Sequence, residues 1–147
     1  MIPKRKYAII ALALSLLLCA IICVVVVMTK SPSKDQAKLT EYINKHEKEL
    51  IKLADQYPNQ YKDLDGYLGI KTIDTRTGYA RYHFSWSNDI PGGGSFIYYA
   101  SDGVIEVSGH SFADSSFIDG LGINGKGYIK CVLLKQNWFF VEYYLPT

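Results

Sequence analysis

The chain has no acidic residue before Asp35 and no glycine before Gly66. It has no lysine or arginine from Tyr82 to Gly125 and a single cysteine, Cys131, beyond residue 23. Each absence narrows the reading. With no acid to balance Lys4, Arg5, Lys6 and Lys30, residues 1–32 carry +4, and residues 33–147 carry −2. The basic excess therefore belongs to the N-terminus. The mildly acidic body lacks the basic face that nucleic-acid binding requires, so that class of partner is excluded. One thiol in the body excludes an intramolecular disulfide there. No G-x-S-x-G occurs, and no lysine follows the glycine run Pro91-Gly92-Gly93-Gly94-Ser95, so neither a nucleophile elbow nor a phosphate loop is expected. Hydrophobic residues at 48% and charged residues at 20% exclude a disordered chain.

What is present begins with Tyr7 to Met28, 22 residues without a charge. As a helix this run covers roughly 33 Å, enough for a hydrocarbon core of roughly 30 Å. It is longer than the apolar region of a cleaved signal peptide and ends in valines and Met28 rather than a small-x-small site. Leu18 before Cys19 and Ile22 before Cys23 do not fit a lipoprotein signal. The expectation is an uncleaved single-pass anchor in the lipid bilayer. Residues 1–6 form a basic cytoplasmic tail, 7–28 the transmembrane span, 29–34 a linker, and 35–147 an extracytoplasmic domain. Cys19 and Cys23, four apart, pack in lipid on one face of the span.

Ser33 followed by Gln36 reads as a capping box, and Pro58 closes what it opens, so the spacing predicts a helix over Asp35–Tyr57. Leu39, Ile43, His46, Leu50, Leu53 and Tyr57 form its apolar stripe; Lys38, Glu41, Lys45, Lys48, Glu49 and Lys52 form a solvated side. All 12 glycines lie from Gly66 to Gly127, where the hydrophobic period changes to two. Three hairpins are expected: Tyr67–Ile73 with Tyr79–Trp86, Phe96–Ala100 with Val104–Val107, and Tyr128–Leu134 with Trp138–Leu145. The fold class is α+β: an N-terminal transmembrane helix, then one amphipathic helix packed on a curved antiparallel sheet of about six strands.

The chemistry-bearing residues are sparse. His46, His83 and His110 are too far apart in sequence for a metal-ligand pair. His46 reads as a packing residue and His83 as a solvated one. His110 has Ser108, Ser111 and Asp114 nearby, but proximity in sequence is not triad geometry. Asp63-Leu64-Asp65-Gly66 fails the calcium-loop spacing and reads as a helix-to-sheet turn. No metal and no cofactor are expected. The lysine- and arginine-free stretch holds Asp89, Asp102, Glu106, Asp114 and Asp119, whose loops would favour a cationic partner if they converge. Ser108–Gly125 is long for a strand connection and carries apolar residues, as binding loops do. The expected partner surface is Asp89, His110, Phe112, Asp114, Phe117 and Asp119.

These features point to a membrane-anchored, non-enzymatic binding domain facing outward, with another protein as partner, as an immunity or inhibitor protein would be. In its order of apolar helix, amphipathic helix and antiparallel sheet the chain resembles type IV pilins and pseudopilins, which implies a structural subunit. Lys6 precedes the run where that family has its processing glycine, and the apolar run lacks the family's acidic residue. A helix over a curved sheet is also similar to cystatin-like and NTF2-like domains, which implies a small ligand held by the sheet.

Overall fold

The structure, a computed structural model, describes residues 9–19, 35–76, 78–87 and 91–146. It divides into two units, 1–30 and 31–147. In the first, residues 9–19 form helix α1, with Ile9, Leu12, Leu16 and Leu17 exposed. The rest of the expected span, Cys23 included, lies outside the described residues. No described helix is long and apolar enough to cross a membrane.

The second unit opens with helix α2, Gln36–Gln56. Its N-cap is Asp35, not the expected Ser33: the Asp35 carboxylate accepts from the Lys38 N–H at 3.1 Å. Tyr57 caps the other end as expected, just before Pro58. Leu39, Ile43, Leu50 and Leu53 are buried, and the six charged residues of the opposite side are exposed.

Among the described residues nine strands follow, more than the six expected: β1 Tyr61–Asp63, β2 Ile70–Arg76, β3 Tyr79–Phe84, β4 Gly93–Ala100, β5 Ile105–Val107, β6 His110–Phe112, β7 Ser116–Leu121, β8 Gly127–Lys135 and β9 Trp138–Tyr144. Seven form one antiparallel sheet in the order β1-β2-β3-β4-β9-β8-β7, and β5 and β6 pair separately. The β2–β3 and β8–β9 hairpins match expectation. In the first, the turn is tighter than Asp74–Gly78, because Arg76 already pairs with Tyr79. Its strand also begins later. Tyr67–Gly69 is a 3₁₀ turn, with Leu68 and Gly69 both at positive φ.

Three expectations are corrected. Phe96–Ala100 does not pair with Val104–Val107, since β4 lies between β3 and β9 while β5 pairs with β6. Ser108–Gly125 is no loop: it supplies β6 and β7. Its Gly109, Gly120 and Gly122 take positive φ, so the chain reverses often enough to fit two short strands. Asp63 to Gly66 links β1 to β2 rather than helix to sheet, with Asp65 and Gly66 both at positive φ.

The sheet is apolar on both faces. On one, Ile73, Tyr82, Phe84, Ile97, Trp138 and Phe140 pack with the α2 stripe. On the other, Phe96, Tyr98, Ile129, Cys131, Phe139 and Val141 pack under Ile105, Val107 and Phe112 of the small hairpin. Cross-ties fix the helix. The Tyr82 hydroxyl donates to the Leu50 carbonyl at 2.7 Å, Tyr42 donates to the Leu68 carbonyl at 2.8 Å, and Thr75 Oγ1 donates to the Tyr57 carbonyl. Glu47 accepts from Trp138 Nε1 and Lys135 Nζ, both at 2.9 Å. These bonds leave few polar groups of the helix side without a protein partner.

Candidate functional site

Strand parity decides which side chains share a surface. Trp138 and Phe140 face α2, so Glu142 and Tyr144 continue the same row on β9. The register sets Lys130 opposite Glu142, Tyr128 opposite Tyr144, Phe117 opposite Lys130 and Asp119 opposite Tyr128. The helix-side face of β7, β8 and β9 therefore ends in a patch of Phe117, Asp119, Tyr128, Lys130, Glu142 and Tyr144 beyond the buried row.

The rings form a ladder. Phe117 stacks on Tyr128 with centroids 6.0 Å apart, and Tyr128 lies 6.4 Å from Tyr144. The Tyr128 hydroxyl donates to Glu142 Oε1 at 3.2 Å, and Ser95 Oγ lies 3.5 Å from Glu142 Oε2. Burial, then the charge of Glu142 and its hydrogen bond, raise the Tyr128 phenol above its ordinary value, so it is a neutral donor at physiological pH. Phe117 is 61% exposed, and Ile123 in the adjoining β7–β8 turn is 84% exposed.

That turn is tightly built. A Cβ on Gly127 would meet the Leu121 and Tyr144 carbonyl oxygens, each at 2.7 Å. Only glycine lets the chain enter β8 between them. β7 is the edge of the sheet, and among the described residues no strand pairs with its outer side. It holds no lysine, arginine or proline, and its ladder runs regularly from Ser116 to Asp119 before a bulge. Such an edge carries the backbone donors and acceptors that a further strand needs.

The expected surface residues divide between places. Phe117 and Asp119 lie in the patch. Phe112 is 3% exposed in the core under the sheet, which corrects its assignment to a surface: it faces Phe139 and Val141 rather than solvent. His110 is half-buried in β6, opposite Val107. Asp114 bonds the Ser115 N–H at 2.7 Å and lies close enough to Cys131 to add to the burial that pushes that thiol up to about 12. Asp89 lies outside the described residues.

Asp102 and Asp119 do turn work, accepting from the Val104 N–H and the Gly120 N–H, while Glu106 is exposed in β5 opposite Ser111. His46 packs at 4.9 Å on Tyr42 and meets Glu49 at 3.0 Å, as a packing residue should. His83 is half-buried against Phe96 rather than solvated, with centroids 5.1 Å apart. Among the described residues no group of His, Cys, Asp or Glu is placed to hold a metal.

The sequence pattern alone does not single out Tyr128, Glu142 and Tyr144. The available signal was Glu142, the one charge in the otherwise apolar parity of β9. Compared with known families, with curated proteins and with solved structures, the chain matches none.

Proposed function

We propose that the protein is a single-pass, membrane-anchored, extracytoplasmic binding domain without catalytic activity that docks a partner protein along β7. The observation that carries this reading is the edge of β7, unpaired among the described residues, beside a partly exposed aromatic ladder. An extended segment of the partner adds to the edge through main-chain hydrogen bonds, and its side chains rest on Phe117, Tyr128 and the Ile123 tip. Asp119 and Glu142 outnumber Lys130 on that face, which favours a partner strand bearing a cationic side chain. The anchor rests on the uncharged run from Tyr7 to Met28 behind a basic tail.

The test is cross-linking and capture from intact cells with the full-length protein as bait, beside the double variant Phe117→Ser with Ile123→Ser. Both side chains are exposed, so the fold should change by less than about 1 kcal/mol. A partner held by the wild type and reduced at least about tenfold in the variant supports the reading, tenfold being about 1.4 kcal/mol. Capture that the variant leaves unchanged, or no captured partner, overturns it. A membrane fraction in which residues 35–147 resist protease added from outside would overturn the orientation.

A further inference from the structure

We propose that the helix side of the sheet holds a separate small-molecule site at the C-terminal end of α2, a cleft that binds a neutral sugar ring. The cleft follows from side-chain size and from where the helix stops. In one cross-strand row Thr75 stands opposite Ala80 and Ala80 opposite Tyr99, so a small side chain sits between two larger ones. α2 ends at Gln56, and Pro58 cannot prolong it, so no further turn of helix fills the space at this end of the row. The result is a cavity of about 360 Å³, lined by Ala54, Asp55, Asn59, Arg76, Tyr99 and Ser101 around that row.

Its polar groups are uncommitted. Among the described residues, the side chains of Asp55, Asn59, Tyr99 and Ser101 make no hydrogen bond within the protein. Thr75 differs, because its hydroxyl already donates to the Tyr57 carbonyl. The Ala54 carbonyl joins the open acceptors, since Pro58, four residues on, has no N–H to give it.

The charges balance. Asp55 and Arg76 are the acid and the base of the lining. Arg76 lies 3.6 Å from Asp74 through Nε and keeps further N–H donors. With one charge of each sign, the cleft gains little from a charged ligand. A carboxylate, a carboxamide, a guanidinium and two hydroxyls together suit a molecule whose neighbouring atoms both donate and accept. The vicinal hydroxyls of a sugar ring do so.

Tyr99 supplies an aromatic wall for the ring's apolar side. It is half-buried, with its ring 4.9 Å from that of Trp138, which is fully buried and bonded to Glu47. Tyr99 is thus held before any ligand arrives, which lowers the ordering cost of binding. A volume of about 360 Å³ is at the small end of ligand sites and suits one sugar ring with water.

The probes are the methyl β-glycosides of glucose, galactose, mannose and N-acetylglucosamine. Each is read by saturation-transfer NMR with the full-length protein in micelles of a detergent that has no sugar headgroup. Glucuronate and glucosamine serve as charged comparisons. The expected result is saturable binding of at least one neutral glycoside at about 10 mM or tighter, with neither charged sugar bound more tightly. Asp55→Ala should weaken that binding about tenfold while the melting temperature holds, since Asp55 is exposed. Ser101→Ala should weaken it by less. The double variant Phe117→Ser with Ile123→Ser should leave sugar binding intact, because it alters the β7 end of the sheet. No saturable signal from any of the neutral glycosides, a charged sugar bound more tightly than they are, or binding that Asp55→Ala does not change overturns the proposal.

Discussion

One face of the seven-stranded sheet is sealed by a 21-residue helix, and the other by two strands of three residues each. The helix brings four buried aliphatic side chains and several hydrogen bonds to the sheet. The hairpin brings Ile105, Val107 and Phe112. Neither cover reaches every strand. The helix leaves the acidic, aromatic end of β7, β8 and β9 open, and the hairpin leaves the row of Tyr61, Asp74 and Arg81 over β1 to β3. A sheet wider than its covers ends in two surfaces at opposite sides, and their chemistry differs because the strands left bare differ.

The comparison can be broken most forcefully at Trp138. It is fully buried on the helix side and bonds Glu47, so Trp138→Ala should cost about 4 kcal/mol and unfold the domain cooperatively at lower denaturant. Phe112→Ala on the hairpin side should cost about 3 kcal/mol. Because that cover is only two short strands, hydrogen exchange should show β5 and β6 losing protection first while α2 keeps it. Equal loss of protection in α2 would mean that the two covers form one cooperative unit.

Gly127→Ala tests the patch side. The added methyl meets backbone oxygen from both neighbouring strands, and a cost of about 2 kcal/mol with shifted amide resonances in β7 is expected.

Glu47→Gln sharpens the account of the helix tie. The hydrogen bond from Lys135 lowers the Glu47 pKa; burial opposes this, and Trp138 and the Lys135 charge add to it. A carboxyl lowered on folding contributes stability above its unfolded pKa and loses it as pH falls through the folded one. The difference in melting temperature between wild type and Glu47→Gln should therefore be present at neutral pH and vanish in acid below the ordinary carboxylate range. At this half-exposed pair it should stay under about 1 kcal/mol.

The helix side was legible in the sequence because a single period of 3.6 runs from Leu39 to Tyr57 and one proline ends it. The hairpin side was not. The pairing of β5 with β6 rests on a reversal at Ser108-Gly109, where Ser108 adopts positive φ, a conformation that serine rarely signals. Asp102-Gly103, a stronger turn signal, does make a turn, but β4 had already found its partners in β3 and β9. Two-faced burial could have been read from β9, where Phe139 and Val141 alternate with Trp138 and Phe140, so both parities are apolar. Phe117 and Asp119 were found through composition. Tyr128, Glu142 and Tyr144 meet through the register of the β8–β9 hairpin, which alternation along either strand does not encode.

The tie between Glu47 and Trp138 joins positions 91 residues apart. During synthesis α2 emerges long before β9, so its apolar stripe meets Ile73, Tyr82 and Phe84 first and completes its cover only when Trp138 and Phe140 arrive. Local propensity forms the helix early, but the contacts that hold it are among the most distant in the chain. A nascent domain that stalls short of β9 would leave the stripe of Leu39, Ile43, Leu50 and Leu53 only partly covered, the surface on which chaperones and aggregation compete.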